Sequence, residues 1–152
     1  MFGHGRERLH LLTFVFCLLQ VSLAWGQKAA NTNLSGTWSL QSDSAIKWTL
    51  TQTADSVQLK EMKGAEVQAD LSCNIGGKEC DGKDEGHTVK VSMWFNGPKL
   101  VVLETRGNDI TRSRLEVGAK GQTLKVEVTH MSSGTKSEKL TFLRENSPNG
   151  TP

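Results

Sequence analysis

The sequence lacks most of the features that identify a nucleic-acid binder or an enzyme. No run of lysine or arginine forms a basic stripe, and the 152-residue chain has a formal net charge of only +2, so we expect no nucleic-acid partner. Beyond residue 26 there are two histidines, His87 and His130, and no serine lies in a nucleophile-elbow pattern. We therefore predict no catalytic residues, no cofactor and a non-enzymatic function.

The chain also has no long apolar run, and its first 26 residues are typical of a secretory signal peptide. A basic stretch that includes Arg6 precedes the apolar residues 11–19, and the small residues Ala24 and Gly26 fit a cleavage site. The apolar core is too short for a comfortable transmembrane helix, although an uncleaved anchor helix is the alternative. We expect export to the periplasm or the extracellular space, with no stable membrane insertion after cleavage.

Cysteine is scarce, with three in the chain. Cys17 would leave with the signal peptide, and the remaining two, Cys73 and Cys80, are separated by six residues. Because oxidising compartments preserve such pairs, we expect a local disulfide that stabilises the fold by about 2.5 kcal/mol. Free or reactive thiols are the alternative.

The sequence argues against a metal site around these cysteines. Cys73, Cys80 and His87 fall at equal intervals, but structural zinc uses two close ligand pairs, and this stretch offers neither. We predict no metal ligands. The neighbouring acidic residues Asp81 and Asp84 are interpreted as part of a solvated acidic turn.

The remaining chain carries the pattern of an all-β protein. From Gly36 onward apolar residues recur at every second position, as in Ile46, Trp48 and Leu50, and turn signals interrupt them about every eight to twelve residues. Asn96-Gly97 predicts a tight hairpin, with Pro98 starting the next strand. We predict an up-and-down meander β-barrel of about 8–10 antiparallel strands, with a β-sandwich as the alternative.

The domain boundaries follow from where this alternation begins and ends. We expect a signal peptide over residues 1–26, a flexible segment over 27–33, the barrel domain over 34–145 and a disordered tail over 146–152.

Gly36-Thr37-Trp38 and Arg144 resemble the lipocalin and fatty-acid-binding (calycin) superfamily, in which a Gly-x-Trp opens the first strand and a basic residue near the last strand covers the Trp. The resemblance implies that Gly36, Trp38 and Arg144 close one barrel end, by close backbone approach and cation–π attraction. Together with Gly82-Lys83, these residues look more closely like small exported bacterial proteins described only as lipocalin-like.

The absence of tyrosine limits what this resemblance implies. The second lipocalin motif, Thr-Asp-Tyr, is missing, and so is the Arg-x-Tyr pair with which intracellular fatty-acid binders hold a carboxylate. Fatty-acid binding is therefore not implied. The expected ligand is an apolar small molecule or lipid of open identity.

If the barrel holds such a ligand, the bulkiest side chains of one alternating face are the candidates for its wall. The alternative is that the same residues fill the interior of a solid barrel, whose surface would then serve as a protein-interaction or envelope module, with Trp94 as one contact. The predicted ligand-binding residues are Trp48, Met93, Phe95, Val126, Val128 and Phe142.

The sequence leaves open which face of one strand points into the barrel. Arg112 and Arg114 share a face, which would suggest an anionic ligand if that face were inward. We favour the outward phase, with Leu115 and Val117 inward and the arginines solvated or paired with Glu116.

Overall fold

The computed structural model describes residues 32–132 and 135–145. The predicted signal peptide, the tail over 146–152 and residues 27–31 of the predicted flexible segment lie outside these ranges. Within them no helix is long and apolar enough to cross a membrane. The strands β1 to β10 are Gly36–Leu40, Asp43–Gln52, Ser56–Lys63, Glu66–Asn74, Cys80–Asp84, His87–Asn96, Lys99–Arg106, Asp109–Val117, Thr123–His130 and Lys136–Arg144.

The ten strands form one closed antiparallel barrel in which each strand pairs with its neighbours in the sequence. The first and last strands complete it, with Trp38 of β1 opposite Arg144 of β10 and Leu40 opposite Phe142. Closure leaves no free sheet edge, as an up-and-down barrel requires. The predicted meander barrel is confirmed over the β-sandwich.

Alternation along each strand separates the interior from the surface. On β2, Trp48 and Leu50 are buried while Thr49 between them is exposed, which is the period of two expected of a pleated strand. On β8, Leu115 is fully buried. Arg112 and Arg114 therefore take the opposite, outward phase.

One of these two arginines, Arg114, has a different partner from the expected Glu116. Arg114 Nη1 lies 3.5 Å from Glu127 Oε2 on the neighbouring β9. Glu116 instead lies 3.2 Å from Lys99 Nζ on β7. Both pairs join adjacent strands, where cross-strand neighbours face each other.

One strand escaped prediction. Residues 80–84 form β5, so the interpretation of this stretch as a solvated acidic turn is wrong; the turn is confined to Glu85 and Gly86. β5 has no apolar alternation because its central inward position is Gly82, where a Cβ would come within 2.7 Å of Leu71, and the next inward position is the charged Asp84. The disulfide between Cys73 and Cys80 is confirmed, with their Cα atoms 5.9 Å apart.

The interior differs between the two ends of the barrel. We call the "filled end" the half that contains the segment before β1, the last residues of β10 and the turn between β6 and β7; its interior is packed with Leu34, Trp38, Leu100, Leu124 and Phe142, all at most 1% exposed. We call the "cavity end" the half bounded by the turns that follow β1, β3, β5 and β7. The candidate site lies there.

Candidate functional site

The filled end is sealed by the residues of the Gly-x-Trp segment. Arg144 Cζ lies 4.1 Å from the centroid of the Trp38 ring, and the guanidinium donates hydrogen bonds to the carbonyls of Ser35 (2.8 Å) and Gly121 (2.7 Å). The Trp38 indole donates to the carbonyl of Leu34 at 3.1 Å. These contacts tie the chain before β1 to the last strand and bury the Trp38 side chain completely.

Glycine is required beside this plug. Gly36 has φ of +144°, a conformation that L side chains rarely adopt. A Cβ at this position would also collide with the guanidinium of Arg144. The backbone therefore approaches Arg144 as closely as it does only because residue 36 has no side chain.

A cavity of about 270 Å³ opens in the interior above this packed half. Its lining combines seven apolar side chains, two hydroxyls and four carboxylates. They are Trp48, Leu59, Ala69, Leu71, Val102, Val128 and Leu140; Thr111 and Ser113; and Glu61, Asp84, Glu104 and Glu138.

Strand alternation is what carries the acids inward. Glu61 follows Val57 and Leu59 on the inward face of β3, and Glu104 follows Leu100 and Val102 on the inward face of β7. In both strands the inward position changes from apolar to acidic on passing from the filled end to the cavity end. Asp84, the last residue of β5, and Glu138, an exposed residue of β10, complete the set.

Burial raises the pKa of three of these carboxyls, Glu61, Asp84 and Glu104. Loss of solvent raises the pKa of Glu61, although the hydrogen bond that its Oε2 accepts from Trp48 Nε1 at 2.8 Å opposes the rise. Burial, reinforced by the negative charge of Glu85, likewise raises the pKa of Asp84. The pKa of Glu104 rises to about 7 because of burial and the nearby Asp84 and Glu61, against the opposing charge of Arg106.

The cavity continues into a depression of about 230 Å³ at the barrel mouth, which shares Asp84, Glu104 and Thr111 with it. Arg106 lies at this mouth, with Nη1 3.5 Å from Asp84 Oδ2 and 3.2 Å from Glu85 Oε2. The depression is otherwise lined by Asp109, Ile110, His130 and Ser132. The route from solvent to the interior is thus polar, and its three carboxylates outnumber its one arginine.

A larger depression, of about 440 Å³, lies over the outer faces of β7 to β10. Six of its nine lining residues are charged, and four of these already form the pairs Lys99–Glu116 and Arg114–Glu127. Only two of its lining residues, Val126 and Leu140, are apolar, whereas small-molecule sites are lined mainly by apolar side chains. We therefore place the candidate site inside the barrel.

The six predicted ligand-binding residues divide between the two halves. Trp48 and Val128 line the cavity, and the Trp48 ring packs on that of Phe142 with centroids 4.6 Å apart. Phe142, Met93 and Val126 are almost completely buried in the core, and Phe95 packs partly buried against it. Trp94 faces outward and is half-buried. Ligand contact by the six residues stays a prediction.

The sequence analysis did not predict these carboxylates, because it assigned the wall of the pocket to bulky apolar residues. Strand alternation could have indicated them, because Glu61 and Glu104 each lie two positions beyond an inward apolar residue on the same strand and therefore also face inward. Nothing in the described ranges groups three or more His, Cys, Asp or Glu residues as a metal ion would need.

Comparison with known proteins finds similarity to solved structures only. No protein-family model and no curated protein sequence matches the chain. The Schistosoma mansoni fatty acid binding protein in complex with arachidonic acid is similar, with 22% identity and a TM-score of 0.56 over 74% of this chain and 96% of that one.

Two further solved structures are similar at lower identity. A fatty-acid-binding protein from Drosophila melanogaster brain tissue has 17% identity and a TM-score of 0.50, covering 66% of this chain and 72% of its own. A variant of the fluorescent protein UnaG has 17% identity and a TM-score of 0.53, covering 75% and 97%. The structural similarity to these proteins shows a shared lipocalin-like barrel fold.

Proposed function

We propose that this protein is exported and non-catalytically binds a small molecule with an apolar body inside its barrel. The observation that carries the proposal is the cavity of about 270 Å³, enclosed by strands and walled mainly by apolar side chains. Export is inferred from the signal-like sequence over residues 1–26. The similar Schistosoma fatty acid binding protein was solved in complex with arachidonic acid, which supports binding of an apolar small molecule.

The size of the cavity restricts the ligand. Ligand pockets usually measure roughly 300–1,000 Å³, and this cavity, at about 270 Å³, lies just below that range. The packed side chains of the filled end occupy the rest of the interior. A compact molecule therefore fits better than a long acyl chain.

Native mass spectrometry of protein purified from its source, followed by organic extraction, tests the proposal directly. We expect a bound molecule of low mass that leaves on denaturation. Protein that is consistently free of ligand, and that also fails to bind the probe described next, would contradict interior binding and favour the surface-interaction alternative.

A variant that fills the cavity supplies the second test. Ala69 lines the cavity and is 7% exposed, whereas Ser72 on the same strand faces outward. We expect Ala69→Phe to weaken binding of the neutral probe 4-phenylbutan-1-ol at least about tenfold, because overfilling the site excludes the probe, while Ser72→Phe binds as the parent does. Circular dichroism checks that both variants are folded, and equal affinities in both would oppose an interior site.

A further inference from the structure

The charge of the cavity is not balanced by the residues around it. Four carboxylates line it, and the cation at its mouth, Arg106, already contacts Asp84 and Glu85. Arg144 is inward-facing as well, but it is engaged with Trp38 at the filled end. Across residues 32–132 and 135–145, no ion pair or side-chain hydrogen bond involves Glu104 or Glu138.

The cavity also has two chemically distinct sides. Trp48, Leu59 and Leu71 belong to its apolar wall, whereas Asp84 and Glu104 are shared with the depression at the mouth. A molecule that lies along this direction meets apolar surface at one end and carboxylates at the other. The geometry matches an amphiphile whose polar group points toward the mouth.

The chemistry of the polar group follows from what ionised carboxylates can do. They accept hydrogen bonds and donate none, whereas an ammonium group donates three and carries the opposite charge. A ligand carboxylate would add a further negative charge beside the cavity acids, which repel it in this partly desolvated site. Glu61 is already held in place by the indole of Trp48, so little reorganisation is needed.

We propose that the cavity selects a small amphiphile with a protonated amine, its apolar body against the Trp48 wall and its ammonium group among Glu61, Asp84, Glu104 and Glu138. This rests on the proposed function and adds the charge class of the ligand. The cavity defines the site, and the carboxylates define which ligand it prefers.

Three probes that share one apolar body test the selection: 4-phenylbutylamine, 4-phenylbutan-1-ol and 4-phenylbutyrate, titrated calorimetrically into the full protein at pH 8. We expect the amine to bind at least about tenfold more tightly than the alcohol, since hydrogen bonds between charged groups are the stronger ones. The carboxylate should bind more weakly than the alcohol.

Matched variants assign the effect to the cavity. Glu61→Gln and Glu104→Gln should each reduce the preference for the amine over the alcohol about tenfold. Glu116→Gln, which removes an outward carboxylate paired with Lys99, should leave the preference unchanged.

The outcomes separate the two proposals. Equal binding of all three probes, or tightest binding of the carboxylate, would overturn the preference for a cation while leaving interior binding intact. Binding of none of them would overturn both. A preference for the amine that survives Glu61→Gln and Glu104→Gln would place recognition of the cation elsewhere and contradict the assignment.

Discussion

The two ends of this barrel are built from the same strands yet serve opposite requirements. On β3, Val57 and Leu59 face inward before Glu61, and on β7, Leu100 does so before Glu104. At the filled end the inward positions pack against one another and against Trp38. At the cavity end they leave space and carry charge.

The difference shows where stability and binding are separated. Close packing removes apolar surface from water and stabilises the fold. Partly buried carboxylates without protein partners cost free energy and are tolerated where they meet a ligand. One half of the interior is therefore expected to set the stability, and the other to set ligand preference.

The largest expected effect comes from replacing a leucine by alanine at each end of the barrel and comparing the loss of stability. Leu100→Ala, in the fully packed half, should lower the free energy of unfolding by about 3–4 kcal/mol, because the surrounding core cannot close the void. Leu140→Ala, beside an existing cavity, should cost about 1–2 kcal/mol. Urea denaturation measures both, and equal losses would contradict a difference in packing between the ends.

The disulfide provides the next test, since it joins β4 to the start of β5 on the side of the filled end. Replacing Cys73 and Cys80 together by alanine should lower the unfolding free energy by about 2.5 kcal/mol, through the extra freedom of the unfolded chain. Binding of the alcohol probe should change little. Non-reducing peptide mapping of the parent protein should recover Cys73 linked to Cys80. If both are free thiols in the exported protein, there is no disulfide to lose, and the predicted loss of stability is contradicted.

Glycine at position 36 gives a smaller expected effect. Gly36→Ala should cost about 2 kcal/mol, because it strains a positive φ and displaces the guanidinium from Trp38. Gly97→Ala is the matched control: its φ is also positive, at 59°, but nothing lies near the added methyl, so we expect about 1 kcal/mol. Thermal unfolding of the two variants compares them, and an equal cost would show that contact with Arg144 is unimportant.

The smallest effect concerns pH and the cavity end. The pKa of Glu104 is about 7 in the folded protein, above its ordinary value, so the folded state binds a proton that the unfolded state has released. Stability should fall as pH rises from about 4.5 to 7 and then level off, by about 1 kcal/mol after allowance for partial exposure. Denaturation across this range measures the slope.

Glu104→Gln should flatten that slope and stabilise the protein by about 1 kcal/mol at pH 8, because the amide carries no charge. Glu61 and Asp84, whose pKa values are raised in the same direction, leave a residual slope; Arg106 opposes the shift of Glu104, and Glu138 and His130 line the same space. Glu116→Gln, outside the barrel, is the control. An unchanged slope in Glu104→Gln would mean that Glu104 titrates normally.

Local pattern was enough to predict most of the fold. Alternation predicted the strands around Trp48, Leu115 and Val126, and nine of the ten strands coincide with apolar alternation. β5 was not predicted because Gly82 occupies its central inward position and charged residues occupy three of the other four positions. A strand without apolar side chains is recognisable only when its neighbours supply the pairing.

The site was less predictable than the fold. Bulk identified Trp48 and Val128 at the cavity wall but also Met93 and Phe142, which the structure places in the packed core. Whether a bulky inward residue fills space or borders it depends on what faces it across the barrel. That relation joins residues far apart in sequence, so alternation along one strand does not contain it.

By itself the sequence determined the strand period, the closure motif and the disulfide, because each depends on residues close in the chain or on one distinctive pairing. Only the tertiary structure decided that the barrel is packed at one end and open at the other, and that Glu61, Asp84, Glu104 and Glu138 line one cavity. Closure of the sheet brings inward positions of separate strands together, and the resulting space and charge are properties of the whole barrel.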